Sequence, residues 1–471
     1  MIALTRKIIA AVVVAIWSVS AGCALHSPQP KDLLIKIPER FTEAGAAVSD
    51  VAPDRWWRAF SDDRLNTLMD RAFVDNLDIA QAYARLEQAE AVAVQSAASR
   101  FPFVNLGGDA GRARQLGATG PVTGDSYSFS LAAGYEVDLW QKLKSRAEAG
   151  ALTAEASLED FRALYLSLSA QVADLYYLLV ELRSQLELTD RTIAAREETL
   201  ALVERRFREG VVSALDVYQS RQTLASARAV RPEIEANLAT TAHLLSVLMG
   251  GYPDSAAGGD LAELPETPAA FPAGLPSQLL TDRPDIRAQM LRLEARDQEI
   301  AAAVADRFPS IDLLGNYGRS GSDFGMSLSG TVWNLSGSLA QPLIDWGARK
   351  AEVERSQAVF REQLASYRQT VLTAFREVED ALVRNRTTEE AIRRLKAEEE
   401  ASGQALRVAW DRYLDGLSEY LPVLTAQALY FDAQSRLLSA RRQLISDRIS
   451  LARATGGNWM ADAAEEYRSG A

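Results

Sequence analysis

The sequence predicts a mixed α+β protein made of one duplicated unit, which contains a helix, a β-hairpin and a long α-hairpin. First, "RFPFVNL" at 100–106 recurs as "RFPSIDL" at 307–313, an offset of 207 (307 against 100). Second, "SYSFSLAAGYEVDLW" at 126–140 alternates apolar and polar residues, as a strand with one apolar face does. Third, two stretches without proline, 122–231 and 343–421, are long enough for very long helices.

The N-terminus predicts an exported lipoprotein. A short basic region and the apolar run at 8–17 precede "SAGC", so residues 1–22 resemble a lipoprotein signal peptide and Cys23 becomes the lipidated first residue. An ordinary signal peptide with a chance cysteine is the alternative. Residues 23–60 then form an extended, lipid-anchored segment. Beyond residue 22 we expect no membrane-spanning helix, because no apolar run approaches the length, roughly 18 residues, that a bilayer requires.

The first repeat, 61–260, begins with an amphipathic helix at 62–98, which Phe-Pro ends because the residue before a proline disfavours the helical conformation. Glycine-rich turns and the helical spacing of leucines predict the remaining elements. They are strands at about 102–114 and 126–139 and long helices at about 141–208 and 213–249. The first long helix would extend roughly 100 Å at 1.5 Å per residue. Residues 261–278 are a proline-rich linker.

The second repeat, 279–460, follows the same order and ends before a short tail at 461–471. A helix at 279–306 again stops at Phe-Pro. The predicted strands lie at about 309–320 and 326–342, and the predicted long helices at about 346–412 and 418–455. Later motifs repeat as well, since "RFREG" at 206–210 is answered by "RYLDG" at 412–416, now at an offset of 206 (412 against 206).

Neither the strands nor the long helices can be completed by one chain. Four strands leave open edges, whose unpaired backbone groups are too costly to expose to lipid. Each long helix also needs neighbours along its length. Three chains would supply twelve strands for a closed barrel and helices for a tube, although two or four chains would also close. The strand at 126–139 then pairs within its hairpin and with the duplicate hairpin, and its apolar face meets the outer membrane. A water-soluble sandwich is the alternative.

Composition argues against catalysis and against nucleic acid. The net charge of −12 and the pI of about 5.0 disfavour a phosphate-binding surface. The chain has two histidines and one cysteine, and no catalytic constellation or metal-ligand motif can be assembled from them. We therefore expect no enzyme activity, no catalytic residue, no cofactor and no metal site.

The layout and the strings "RFREGVVSALDV", "RYLDGLSEYLPVLTAQ", "TDRPDIRAQM" and "AQPLIDWG" resemble the TolC-type outer membrane efflux factor family, in its lipoprotein (OprM- or NodT-like) branch. The resemblance implies a homotrimer in the outer membrane of a Gram-negative bacterium. Its twelve-stranded barrel would continue as a long periplasmic α-helical barrel. A periplasmic adaptor (membrane fusion protein) and an inner-membrane RND-type pump would be its partners.

The function that follows is a passive duct for small molecules in a tripartite efflux system. Two alternatives remain open. One is the duct of a type I-like protein secretion system, and the other is a non-conducting coiled-coil scaffold of the envelope.

Candidate site residues lie where each long helix reverses. The resemblance implies that this end meets the adaptor and closes the channel. The predicted adaptor-contact residues are Arg206, Phe207, Gly210, Val211, Arg412, Tyr413, Gly416 and Leu417. The predicted gate residues are Asp411, Arg412, Tyr413, Asp415, Leu421 and Thr425. By resemblance Leu421 points into the closed aperture, and Thr425 stands where relatives often carry an acid. A plain hairpin turn is the alternative.

Overall fold

The computed structural model describes residues 26–31, 36–43, 55–117, 120–256, 259, 263–322, 330–457 and 459–470. The predicted signal peptide and Cys23 lie outside the described residues. After a 3₁₀ turn at Trp56–Phe60, the helices of the first repeat are α1 (Asp63–Asp75), α2 (Leu77–Ala98), α3 (Lys142–Arg208) and α4 (Ala214–Leu248). Those of the second repeat are α5 (Leu279–Asp282), α6 (Pro284–Ala305), α7 (Ala348–Leu414) and α8 (Leu421–Thr455), followed by α9 (Ala463–Gly470). The strands are β1 (Phe103–Gly117), β2 (Gly120–Glu136), β3 (Ser310–Gly321) and β4 (Gly330–Ala340).

The predicted fold class is confirmed, because both halves of the chain run through the same mixed α+β order. The outgoing long helices α3 and α7 each have 67 residues, and the returning helices α4 and α8 each have 35. The two compact units of the chain do not coincide with the two repeats. One contains all four strands with their flanking residues, 85–158 and 288–369. The other contains the helical hairpin ends, within 159–287 and 370–471.

The four strands form one antiparallel sheet in the order β1-β2-β3-β4. The β2–β3 pairing confirms that the strand noted at 126–140 joins the two repeats. One row across the sheet is apolar and exposed, and the next row, on the opposite face, is rich in asparagine. The apolar row is Leu106, Leu131, Tyr317 and Trp333, and the polar row is Asn105, Ala132, Asn316 and Asn334.

The predicted continuous helices at 62–98 and 279–306 are wrong, since each is two helices. The breaks fall at Asn76 and Arg283, which the repeat offset of 207 relates (283 against 76), and both have extended backbones (ψ 126° and 118°). Pro284 accounts for the second break, because it disfavours a helical conformation at the preceding residue. At the first, the Asn76 side chain accepts hydrogen bonds from the Asp78 and Ile79 amides and caps the new helix.

At both breaks, a side chain donates a hydrogen bond to a backbone carbonyl near the end of the return helix of its own repeat. Asn76 Nδ2 donates to the Leu248 carbonyl at 2.9 Å, at the end of α4. Arg283 Nη1 donates to the Ala454 carbonyl at 3.0 Å, near the end of α8. The two carbonyls are related by the offset of 206 that also relates the tip motifs (454 against 248). The duplication therefore preserves a hydrogen bond that no local periodicity of the sequence indicates.

Helix α3 bears on the expectation that no membrane-spanning helix follows residue 22. Among the described residues, α3 alone contains an 18-residue stretch that is apolar enough to span a bilayer by length and composition. Within the protein, 61% of that stretch is buried. Leu179 and Val180 of the same helix are completely covered. This burial is typical of the core helix of a folded assembly.

Candidate functional site at the two hairpin tips

The first hairpin reverses through a Schellman motif at the end of α3. The Val211 amide donates to the Arg206 carbonyl at 2.9 Å, and the Gly210 amide donates to the Phe207 carbonyl at 2.9 Å. Gly210 has φ +76°, a left-handed backbone in which a side chain would be strained. The glycine of the Arg-Phe-x-x-Gly pattern is therefore what this turn requires.

The second hairpin repeats the same turn at the end of α7. The Leu417 amide donates to the Arg412 carbonyl at 2.8 Å, and the Gly416 amide donates to the Tyr413 carbonyl at 3.2 Å. Gly416 has φ +72°. The two tips thus present equivalent backbones, so that a partner could meet them in equivalent ways.

The returning sides of the two tips differ. Helix α4 begins with a capping box, in which Ser213 and Asp216 exchange hydrogen bonds between side chain and backbone. Helix α8 has no side-chain cap at Tyr420 and instead has Pro422 in its first turn. The first tip is therefore held by polar capping, whereas the second depends on proline and on packing.

A small apolar core lies beneath the tips and joins the two hairpins. Its buried members come from both repeats, and they are Val203, Val217, Tyr413, Tyr420 and Val423. The rings of Tyr413 and Tyr420 lie 5.6 Å apart at 54°. Burial raises the pKa of both phenols above the ordinary value of 10.0. The core fixes the first tip against the second within a single chain.

Arg206 covers this core from the first tip. Its guanidinium carbon lies 4.6 Å from the centre of the Tyr413 ring, and its Nη1 donates to the Tyr413 carbonyl at 3.1 Å. Tyr413 is only 2% exposed. Tyr413, predicted as both an adaptor-contact and a gate residue, is thus buried, because its ring fills the space between the hairpins. Arg206 and Tyr413 therefore link the first tip to the second through packing and a hydrogen bond.

The other predicted gate residues are exposed. Asp411, Arg412 and Asp415 form no ion pair within the described part of the chain. Leu421 is 54% exposed, and Thr425 Oγ1, one turn later on α8, donates to its carbonyl at 3.0 Å. Leu421 and Thr425, together with neighbours on α7 and α8, line a shallow, mostly apolar groove. Its lining residues are Ser402, Ala405, Leu421, Pro422, Thr425, Ala426 and Leu429.

The predicted adaptor-contact residues Phe207, Val211 and Leu417 are also exposed, at 46%, 58% and 69%. Sequence reasoning missed Tyr420 in the core, and it missed the exposed Tyr218 on the first return helix. The offset of 206 carries a usable signal for the core, because Val217 and Val423 match at it and are both buried. Among the described residues no group of acidic, histidine or cysteine side chains could hold a metal ion. The tips therefore provide exposed apolar and charged surface for contact.

The match to a family of known proteins shows the same duplication as the sequence. The model of the family described as "Outer membrane efflux protein" matches residues 68–251 and 275–457. The starts of the two matches differ by 207 (275 against 68), and their ends differ by 206 (457 against 251). These are the two offsets that relate the repeated motifs.

Curated relatives match across most of the chain. The pyoverdine export outer membrane protein OpmQ of Pseudomonas putida is 30% identical over 457 residues, which cover 93% of this chain and 96% of OpmQ. The outer membrane protein OprJ of Pseudomonas aeruginosa is 32% identical over 421 residues and 86% of each chain. Among solved structures, the outer-membrane channel OprN has a TM-score of 0.86 at 28% identity, with 93% of this chain and all of OprN covered. CusC has a TM-score of 0.81 at 26% identity, with 92% and 98% covered.

Proposed function

The chain belongs to the outer membrane efflux protein family, and from this premise we propose that three copies assemble into one passive export duct. The chain is the outer-membrane channel component of an efflux system. The duct catalyses no reaction, and an inner-membrane pump of the RND type supplies the energy. A toluene efflux pump outer membrane protein of Pseudomonas putida, TtgC, is 32% identical to the chain. We infer that the cargo here is likewise small organic molecules.

The exposed apolar row of the sheet is the observation that carries the trimer. Leu106, Leu131, Tyr317 and Trp333 form this row across all four strands, and no described residue covers it. Strands β1 and β4 are the edges of the sheet. Joining the edges of three sheets would give a closed barrel of twelve strands whose apolar face meets lipid and whose polar face meets a water-filled lumen.

The two hairpin tips are the proposed contact for a periplasmic adaptor. Their equivalent turns support this, because three copies would present six similar tips to a ring of adaptor subunits. Exposed Val211 and Leu417 supply apolar contact at the two tips. Replacing both by Asp should abolish export in cells while the purified trimer still conducts in bilayers. Normal export by this variant would mean that the adaptor docks elsewhere.

Lipid on Cys23 is the proposed anchor, and the small residues of "SAGC" after an apolar run support it. Acyl chains stabilise membrane association by about 0.8 kcal/mol per buried CH₂. The anchor would hold the start of the mature chain at the inner leaflet of the outer membrane. The barrel itself does not depend on this lipid in our proposal.

The decisive experiment combines native mass spectrometry with single-channel recording in planar bilayers. We expect the mass of three subunits and a stable conductance. A matched pair of variants tests the sheet, since Trp333→Asp puts a charge on the apolar face and Asn334→Asp puts the same charge on the polar face. Only the first should hinder insertion, because a charge that faces lipid is destabilising, whereas the same charge on the polar face meets water. A three-subunit protein without conductance would identify a scaffold, and single subunits would refute the assembly.

A further inference from the structure

Within one chain, an aromatic contact closes the boundary between the two repeats. Trp140, which follows β2, lies with its ring 5.0 Å from that of Phe308, which precedes β3, at 32°. Trp140 Nε1 donates to the Pro309 carbonyl at 2.8 Å. The pairing of β2 with β3 brings these corners together. The contact thus lies where the end of β2, in the first hairpin, meets the start of β3, in the second.

Each partner of this contact has a duplicate that is exposed. Trp140 lies just before α3 and Trp346 at the same place before α7, and Trp346 is 97% exposed. Phe308 belongs to the second Arg-Phe-Pro motif, and Phe101 belongs to the first and is 68% exposed. Trp346 also has φ +54°, which is uncommon for a bulky side chain. The chain holds a large ring in an unfavourable backbone conformation where nothing described covers it.

The strand register independently supports this equivalence. In the first hairpin Phe103 lies opposite Gly134, and in the second Ser310 lies opposite Ala340. Together the two registers give a summed shift of 413 (650 against 237). The Arg-Phe-Pro motifs give 207 for β1 and β3 (310 against 103), which leaves 206 for β2 and β4 (340 against 134). The shift of 206 is also the one that carries Trp140 onto Trp346. The strand register and the position before the long helix thus both assign Trp346 as the duplicate of Trp140.

Applying both shifts to the β2–β3 pairing predicts how β4 of one copy meets β1 of the next. The observed pair Gly134 and Leu314 becomes Ala340 opposite Gly107 of the neighbouring copy. This register keeps Leu106 and Trp333 on the same face of the joined sheet. A slip of one residue would reverse the faces, because side chains alternate along a strand. The predicted register is therefore compatible with a sheet that continues through the subunit boundary.

We propose that Trp346 of one copy stacks on Phe101 of the next copy and donates its indole N–H to the Pro102 carbonyl of that copy. The inference rests on the proposed assembly of three copies and names the contact that sets the register between them. In the assembled ring the contact would recur at each subunit boundary, in alternation with the Trp140–Phe308 contact inside each chain. Covering both exposed rings stabilises the assembly and supports the backbone of Trp346.

Photo-crosslinking of the purified assembly tests this contact and carries its own matched control. Benzoylphenylalanine replaces Trp346 in one variant and Trp140 in another. Illumination of the first should link subunits covalently, and the linked tryptic peptide should be 101–112, which begins with Phe101. Illumination of the second should link peptide 308–319 of the same chain and leave the subunit mass on a denaturing gel unchanged.

The results separate this inference from the proposed function. If the control crosslinks and the three-subunit protein conducts, but position 346 reacts with lipid, with its own chain or with another peptide, the inference is overturned and the duct stands. Single subunits without conductance would refute both.

Unlabelled variants test the same contact through stability. Trp346→Ala and Phe101→Ala should each lower, by several degrees, the temperature at which the trimer dissociates in detergent. The double variant should do little more than the larger single one, because both remove the same contact. Tyr252→Ala, at a 90% exposed ring outside the sheet unit, should leave that temperature unchanged. Additive effects of the two single variants would contradict a shared contact.

Discussion

Removal of the Tyr413 ring should loosen both hairpin tips together. Tyr413 is 2% exposed and lies between Tyr420 and the guanidinium of Arg206, so Tyr413→Ala leaves a cavity that neither hairpin can fill. Truncation of a buried aromatic side chain costs about 3–5 kcal/mol. We expect the free energy of opening the tips to fall by that amount. The long helices away from the tips should not respond, because their packing is unchanged.

Two further variants serve as controls. One separates the effect of the ring from that of the hydroxyl, and the other tests whether the loss of any tyrosine near the tips has the same effect. The Tyr413 Oη is buried and has no hydrogen-bond partner among the described residues. Tyr413→Phe should therefore keep the opening free energy within about 1 kcal/mol of the parent, or raise it, because an unsatisfied polar atom is removed. Tyr218→Ala removes a tyrosine from the first tip that is 66% exposed, and it should change that free energy by less than about 0.5 kcal/mol.

Hydrogen–deuterium exchange of the purified protein measures this directly. Since about 1.4 kcal/mol corresponds to a factor of ten, Tyr413→Ala should speed exchange at the tip amides by roughly a hundredfold or more. Peptides from both tips should respond, because the core contains side chains of both hairpins. If only the second tip exchanges faster, or if Tyr218→Ala has the same effect, the buried core is not what holds the tips together.

The remaining predictions concern pH, conductance and the anchor. Burial raises the pKa of the Tyr413 phenol, so its contribution to tip stability is complete below about pH 10 and is lost as the pH rises through the pKa in the folded state; exchange at high pH should be slower in Tyr413→Phe. We propose that the exposed Leu421 narrows the duct, so Leu421→Ser, alone or combined with Arg412→Ala, should raise single-channel conductance, and Arg412→Ala should make closure less sensitive to salt. Cys23→Ser should lack the lipid in intact mass spectrometry and still form conducting trimers.

Distinct outcomes would contradict each of these. Equal acceleration of exchange at high pH in the parent and in Tyr413→Phe would exclude the Tyr413 phenol as the responsible group. Unchanged conductance in the combined Leu421 and Arg412 variant, at both low and high salt, would locate closure elsewhere. An unmodified Cys23 in the mature parent protein would leave the chain without its proposed anchor.

Local chemistry was sufficient to predict the repeated architecture. Three kinds of signal shape the backbone through neighbouring residues alone. They are the two Arg-Phe-Pro motifs, which lie 207 residues apart, the alternation at 126–140 and the glycines at the tips. Alternation fixes which strand face is apolar, and a left-handed turn requires glycine wherever the chain reverses in this way. The structure reproduces the repeat order and the strands. The lipid on Cys23 stays a prediction from the sequence.

Tertiary contacts decided which of two equivalent residues in the repeats is buried and which is exposed. Phe207 and Tyr413 occupy the same place in the two tip motifs, yet Phe207 is exposed and Tyr413 is buried, because only the second faces the other hairpin. The break at Asn76 escaped prediction because the apolar periodicity continues through it. The bond that ties Asn76 to its return helix joins residues 172 positions apart. A duplicated sequence repeats its local preferences, but a single chain cannot give both copies the same neighbours.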